Sequence, residues 1–367
     1  MAISIYLRLA ASEIITKRRS KNFTFGLIVG IVGGFIIFFV TALILIRRFY
    51  RRRENRVSDG MNTESGLFFR YRELKTITNN FSDRLGGGGF GSVFKGTMPD
   101  MTLVAVKMLE GSRQGEKQFR AEVCTMGIIQ HVNLVRLRGF CCEEDKRLLV
   151  YDLMRNGSLD SHLFEKRDEV LNWKMRYEIA LGVARGLVYL HEKCRDCIIH
   201  CDIKPENILL DENFCPKLAD FGLAKLMGRE FSRVLTSMRG TVGYLAPEWI
   251  TGLPITPKAD VYSYGMVLFE LISGRRNISQ DGDWEFSYFP LWAAEKITEG
   301  QVLCLLDETL DGCADLEELT RACRVACWCI QEEAQRPSMN QVVQMLEGTL
   351  ELHMPPVPLN LQQLLEE

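Results

Sequence analysis

No cysteine precedes position 124 in this chain, although 12 follow, and those 12 are scattered rather than framed as a compact set. A small disulfide scaffold is thereby excluded, and the pattern fits a reducing compartment. Cys194 and Cys197 form a CxxC with no second pair at zinc-ribbon spacing, so ordinary thiols are the better reading. Cys323, Cys327 and Cys329 lie in the helical run RACRVACWCIQ, where small apolar packing is expected. Internal repeats are lacking as well. Net charge is small, −2 over 367 residues, but residues 1–60 hold 11 Lys/Arg against 3 Asp/Glu, a surplus of +8 that leaves −10 for the remainder. The basic end stands apart, and a nucleic-acid partner for the whole chain has little support. At 47% hydrophobic and 25% charged residues, the chain is long enough for one large domain or two modest ones with appendages.

Charge is absent altogether from Phe23 to Ile46, 24 residues of which 17 are Phe, Leu, Ile or Val. About 20 apolar helical residues cross a hydrocarbon core, so a transmembrane helix is expected at 23–46, after a short extracytoplasmic segment at 1–22. A cleaved signal peptide would have an apolar core of about 7 to 15 residues ending at small residues. Here Arg47, Arg48, Arg51, Arg52, Arg53 and Arg56 follow instead, against Lys17, Arg18, Arg19 and Lys21 before the segment. That balance mildly favours a cytoplasmic C-terminal side. Gly26, Gly30 and Gly34 repeat a spacing that lets two membrane helices approach, which suggests association with a second copy or a related chain. The sequon at Asn22 touches the membrane entry and is not counted as a glycan site. Residues 47–78 read as a basic juxtamembrane linker whose arginines can lie on anionic lipid, followed by a short amphipathic helix through Tyr71, Leu74, Ile77 and Phe81. The tail 351–367 has three prolines and reads as a surface extension.

Chemistry begins at Leu85. In LGGGGFGSV, Gly86, Gly88 and Gly91 satisfy GxGxxG, with Gly87, Gly89, Phe90, Ser92 and Val93 completing the loop. Glycines let backbone NH groups approach phosphate oxygens. The loop runs into the strand SVFKG rather than a helix, which disfavours a dinucleotide-binding turn. Lys107, ending the apolar strand VAVK just after Ala105, is expensive there without a counter-charge. Glu122 supplies one, in QFRAEVCTM, beside a helix face set by Phe119, Val123 and Met126. Such an ion pair can hold the lysine on the α and β phosphates of ATP.

After a helix from Trp173 to Leu190, IIHCDIKPENILL places a polar loop between two short apolar strands. Asp202 can accept a hydroxyl proton, Lys204 can neutralise charge on the transferred phosphoryl group, and Asn207 offers an oxygen to Mg²⁺. Asp220, ending the strand of LADFG, is a second hard oxygen ligand. The expected cofactors are ATP and Mg²⁺, with Mn²⁺ as an alternative.

GxGxxGxV, VAVK, a helical Glu, HxDxKxxN, DFG and APE in this order resemble the eukaryotic protein kinases over about three quarters of the chain. The resemblance implies an α+β bilobal fold: a small antiparallel-sheet N-lobe with one helix (about 79–154) and a larger, mainly helical C-lobe (about 155–350), preceded by a single transmembrane helix. It implies that Glu248 partners Arg336 and that Asp260 anchors the catalytic loop. Tyr151, Asp152, Leu153 and Met154 fall at the gatekeeper and adenine-binding hinge, with Leu209 among the nucleotide contacts. The run after Asp260, apolar nearly all round, suits a helix at the centre of a lobe.

Lys204 two residues after Asp202, and Thr241 in RGTVGYLAPE, point through the resemblance to protein Ser/Thr substrates. Cys201 stands where the commonest pattern has an arginine that receives an activation-loop phosphate. Phosphorylation at Ser232, Thr236 or Ser237 is therefore expected to matter less. HCDIKPENILLD, GTVGYLAPEWITGLPITPKADVYSYGMVLFELISGRRN and CWCIQEEAQRPSM resemble the plant receptor-like Ser/Thr kinases, most closely the G-type lectin, S-receptor-like group. In that family a lectin region precedes the membrane helix, whereas 22 residues do here, so ligand sensing by this chain alone is not implied. The expectation is a single-pass protein of the plasma membrane with a cytoplasmic kinase domain. A pseudokinase scaffold would lack a catalytic group, and a plain membrane adaptor would need no nucleotide.

Overall fold

A computed structural model of the protein describes residues 68–88, 91–110, 114–127, 129–165, 170–227, 241, 243–250, 254–278 and 289–358. The expected membrane segment, the sequon and the linker to residue 67 lie outside these, as do Gly89, Phe90, Ser232, Thr236, Ser237 and the tail beyond 358. Among the described residues no helix is long and apolar enough to cross a membrane.

The described residues from Phe69 onward form one compact unit. It opens with helix α1 (Tyr71–Ile77), whose Leu74 is fully buried. Five strands follow: β1 (Arg84–Gly88), β2 (Gly91–Thr97), β3 (Leu103–Met108), β4 (Leu137–Glu143) and β5 (Lys146–Asp152), all antiparallel in the order β1-β2-β3-β5-β4. Period-2 alternation splits β3 between two faces. Val104 and Val106 pack with Leu74, Cys141, Leu148 and Val150 in the core under α1, and Ala105 and Lys107 point the other way. The amphipathic helix expected at Tyr71–Phe81 is thus part of the small lobe. Burying a leucine as Leu74 is buried contributes roughly 1.5–3 kcal/mol.

Helix α2 (Gln114–Met126) covers the opposite side of the sheet. Its buried face is Gln118, Phe119, Glu122, Thr125 and Met126, while Val123 is half-exposed. The inward face is therefore rotated from the one expected from Phe119, Val123 and Met126, and Glu122 sits at its middle rather than beside it. A buried lysine and tyrosine across from it make that polar face stable, which an apolar-periodicity reading cannot foresee.

The second lobe is mainly helical. After α3 (Leu159–Leu163), helix α4 (Trp173–Val188) starts where Asn172 Oδ1 accepts from Met175 N at 3.0 Å, and a π-helical turn (Tyr189–Lys193) prolongs it. Short strands β6 (Cys197–Ile199), β7 (Ile208–Leu210), β8 (Pro216–Leu218) and β9 (Lys225–Met227) pair as β6-β9 and β7-β8. Then come α5 (Pro247–Ile250), α6 (Lys258–Ser273), α7 (Phe289–Thr298), α8 (Leu316–Cys329) and α9 (Met339–Leu346). Every residue of α6 from Ala259 to Ser273 is buried, as its all-round apolar pattern led us to expect. It stops at Gly274, φ +64°, where a Cβ would lie 2.1 Å from Asp307 Oδ2. Cys323, Cys327 and Cys329 are fully buried on α8. The tail, expected as a surface extension, is held to the large lobe by specific contacts. Through residue 358 it lies along α8, with Trp328 Nε1 donating to His353 O (3.1 Å), Gln331 Nε2 donating to Pro356 O (2.8 Å), and Pro355 and Pro358 buried.

Candidate active site

Between β1 and β2 the glycine loop turns, and Gly91 is required there. Its φ is +121°, and a Cβ would stand 2.0 Å from Met108 O. Val93 pairs with Lys107 and Ala105 with Tyr151, so register brings these residues onto one face of the sheet. Leu85 is exposed, Ser92 donates to Glu110, and Leu209 lies on β7, paired with Lys217 of β8. At the end of β5, Asp152 pairs with Arg138, Leu153 N donates to Leu103 O (3.3 Å), and Met154 is half-exposed.

Lys107 is the hub. Its Nζ lies 2.7 Å from Glu122 Oε1 and 2.9 Å from Asp220 Oδ1. Burial works against the ammonium, but the two carboxylates outweigh it and hold its pKa above the ordinary lysine value. Burial pushes the Glu122 carboxyl up, whereas Lys107 overcomes burial at Asp220 and holds that carboxyl down. The Tyr151 hydroxyl donates to Glu122 Oε2, and burial keeps this phenol protonated by raising its pKa well above the usual value. Tyr151 was expected only as part of the gatekeeper and adenine-binding hinge segment. Its bond to Glu122 depends on two elements, α2 and β5, whose packing no local pattern encodes.

A second cluster surrounds Asp202. Thr241 Oγ1 donates to Asp202 Oδ1 (2.9 Å) and accepts from Lys204 Nζ (2.7 Å), while Lys204 Nζ is 3.2 Å from Asp202 Oδ2. Asn207 Nδ2 donates to Asp202 O (2.8 Å) and Oδ2 (2.9 Å), which leaves its amide oxygen as the end a cation would meet. Thr241, noted in the sequence as a pointer to Ser/Thr substrates, is thus brought between the charges of Asp202 and Lys204.

Asp260 on α6 fixes this loop from below. It accepts from His200 N (2.8 Å), Cys201 N (2.9 Å) and His191 Nε2 (2.9 Å). Burial would raise its pKa, but the His191 bond and charge bring it below the ordinary aspartate value. Two successive NH groups reach one carboxylate because Cys201 adopts φ +67°. A left-handed non-glycine residue costs about 1–2 kcal/mol, which the paired bonds offset. The Cys201 thiol is buried, 3.5 Å from Ile199 O, and burial drives its pKa well up, so it is an inert side chain. His200, also buried, meets Ala219 O (3.0 Å) and lies tilted against Phe221 with ring centroids 4.6 Å apart, tying this loop to the segment that carries Asp220. Farther out, Arg336 makes a bidentate pair with Glu248 at 2.6 and 2.9 Å, both side chains buried.

Among the described residues no group of three or more His, Cys, Asp or Glu could hold a metal ion by itself. One carboxylate, Asp220, and one amide, Asn207, suit a Mg²⁺ that draws its remaining ligands from phosphates and water. The donor set fits that cation, not zinc.

The protein kinase domain family matches residues 80–346. A G-type lectin S-receptor-like serine/threonine-protein kinase of Arabidopsis thaliana is 62% identical over 370 residues, covering 98% of this chain and 44% of the relative. A second of the same description and plant is 55% identical over 345 residues, covering 91% and 43%. A probable receptor-like protein kinase of that plant is 41% identical over 366 residues, covering 91% of this chain and 81% of the relative. The chain spans under half the length of the first two. Matched across its folded unit and carrying the charged clusters in place, the chain belongs to the protein kinase family, among the plant receptor-like serine/threonine kinases similar to the G-type lectin S-receptor-like group.

Proposed function

We propose that the chain transfers the γ-phosphoryl group of ATP to Ser or Thr hydroxyls of proteins, from a membrane-tethered position facing the cytosol. The triangle of Asp202, Lys204 and Thr241 carries this reading. Asp202 orients the acceptor hydroxyl and takes its proton as the oxygen attacks the γ-phosphorus and the bond to the bridging oxygen of ADP breaks. Lys204 balances charge on the moving phosphoryl group. Lys107, held by Glu122, meets the α and β phosphates, and the glycine loop from Leu85 to Val93 supplies backbone NH groups. The adenine would sit against Val93, Ala105, Leu209 and the 151–154 segment. Asn207 and Asp220 would hold Mg²⁺, or Mn²⁺ in its place, and a bound ion supplies charge neutralisation across the phosphates. None of Lys107, Glu122, Asp202, Asn207 or Asp220 is missing, which favours an enzyme over a scaffold.

Phe23–Ile46 supports a single membrane crossing, with the following arginines on anionic lipid and related receptor kinases as partners in the same membrane. The test is radiolabelled phosphate transfer by the full chain beside its Asp202→Ala variant. General-base loss is expected to lower the rate at least ~10²-fold. Equal signal from both proteins would mean contaminating activity and would end the claim.

A further inference from the structure

A guanidinium pocket lies beside the Asp202 cluster, and the chain fills it with its own arginine. Arg276, in the loop after α6, places Nη1 2.8 Å from Glu206 Oε1 and 3.1 Å from the Tyr244 hydroxyl. Its Cζ stands 4.0 Å over the centroid of the Phe164 ring, at the end of α3. Carboxylate, hydroxyl acceptor and aromatic face are the three features that select a guanidinium. Behind the pocket, Tyr244 donates to the buried Glu270 at 2.8 and 3.0 Å. Glu206 Oε2 is buried and has no hydrogen-bond partner, so the pocket's acceptor capacity exceeds what Arg276 uses.

The location decides what the pocket faces. Glu206 is in the same short loop as Asp202, Lys204 and Asn207, and Tyr244 is three residues from Thr241, which bonds Asp202. A peptide that brings its hydroxyl to Asp202 therefore comes close to both segments. The Arg276 and Glu206 side chains remain 39% and 37% exposed, so an arginine of such a peptide could contact this pocket were it empty.

We propose that Arg276 is a specificity-determining residue: by occupying the Glu206–Tyr244–Phe164 pocket it removes the selection for a basic side chain near the acceptor that the pocket would otherwise impose. The natural substrates are accordingly proteins whose Ser or Thr has no basic neighbour requirement. This rests on the kinase reading above, and phosphorylation of a neutral peptide tests that reading separately.

The experiment compares kcat/KM of the full chain for two Ser peptides that differ in carrying Arg or Ala at the two positions before the acceptor. The native chain is expected to treat them alike within about 2-fold. Arg276→Ala is expected to raise the Arg-to-Ala ratio about 5- to 10-fold through KM, the discrimination of one half-exposed charge pair. Adding Glu206→Gln should return the ratio to the native value, and Arg276→Lys should keep it there. An unchanged ratio in Arg276→Ala with neutral-peptide activity retained overturns the proposal. Should Arg276→Ala lose activity on both peptides, Arg276→Met, which keeps the stem over Phe164, is measured likewise. Loss in both variants would mean that Arg276 holds the loops together rather than filters peptides, which also overturns it.

Discussion

Glu270 is 1% exposed on α6, and burial pushes its pKa from 4.5 up to about 7. Hydrogen bonds from Asn277 N (3.0 Å) and the Tyr244 hydroxyl, and the charge of Arg276, oppose burial and leave it dominant. Unfolded, this carboxyl ionises near its ordinary value; folded, it keeps its proton until about pH 7. The folded state therefore binds more protons between those limits, and the stability this group adds, complete below about pH 4.5, drains away as pH rises through 7. A shift of some 2.5 units at 1.36 kcal/mol each gives roughly 3 kcal/mol over that window. Glu270→Gln keeps the shape and the hydrogen bonds but cannot ionise. Urea unfolding of both proteins at pH 5, 6, 7 and 8 isolates the effect as a difference, since all other groups titrate in common. The native chain should lose stability relative to Glu270→Gln by about 2 to 3 kcal/mol from pH 5 to pH 8. Parallel pH profiles, or a difference of opposite sign, would refute the reasoning.

Three further outcomes follow from the same contacts. Thr241→Val removes the hydroxyl between Asp202 and Lys204 and should cut kcat about 10-fold or more with ATP KM little changed, while Thr241→Ser should retain most activity; steady-state phosphotransfer checks both. Tyr151→Phe leaves Glu122 Oε2 without its donor and should cost about 1.5–3 kcal/mol in denaturant unfolding, and a variant as stable as the native chain would show that Lys107 alone satisfies Glu122. Leu74→Ala empties a fully buried site under α1 and should cost about 2–5 kcal/mol, although residue 74 precedes the matched kinase domain; a negligible loss in a thermal melt would place α1 outside the folding unit.

Order along the chain was readable from the residues for the glycine loop, Lys107, Glu122, Asp202 to Asn207 and Asp220, while Glu248, Asp260 and Arg336 came through the family resemblance. Lys107 stands where the local apolar pattern makes a charge costly, so its presence signals a partner. The amphipathic segment at Tyr71–Phe81 and the all-round apolar α6 were legible for the same reason, since burial leaves a period in the sequence. Their partners were less so. The inward face of α2 was misread because Gln118, Glu122 and Thr125 are buried polar residues, which an apolar count assigns to solvent. The tail's contacts left no sign in the sequence because prolines carry no period, yet backbone carbonyls of His353 and Pro356 meet Trp328 on α8 and Gln331 just past it.

What the sequence by itself determined is the set of residues on which the proposed phosphoryl transfer rests, because that chemistry needs particular residue types and those types are written in order. Tertiary structure alone decided the company they keep: Tyr151 on Glu122, Thr241 between Asp202 and Lys204, and Arg276 on Glu206. These pairs join residues 29, 39 and 70 positions apart on elements that meet only once each lobe has packed, and a contact of that kind has no local signature.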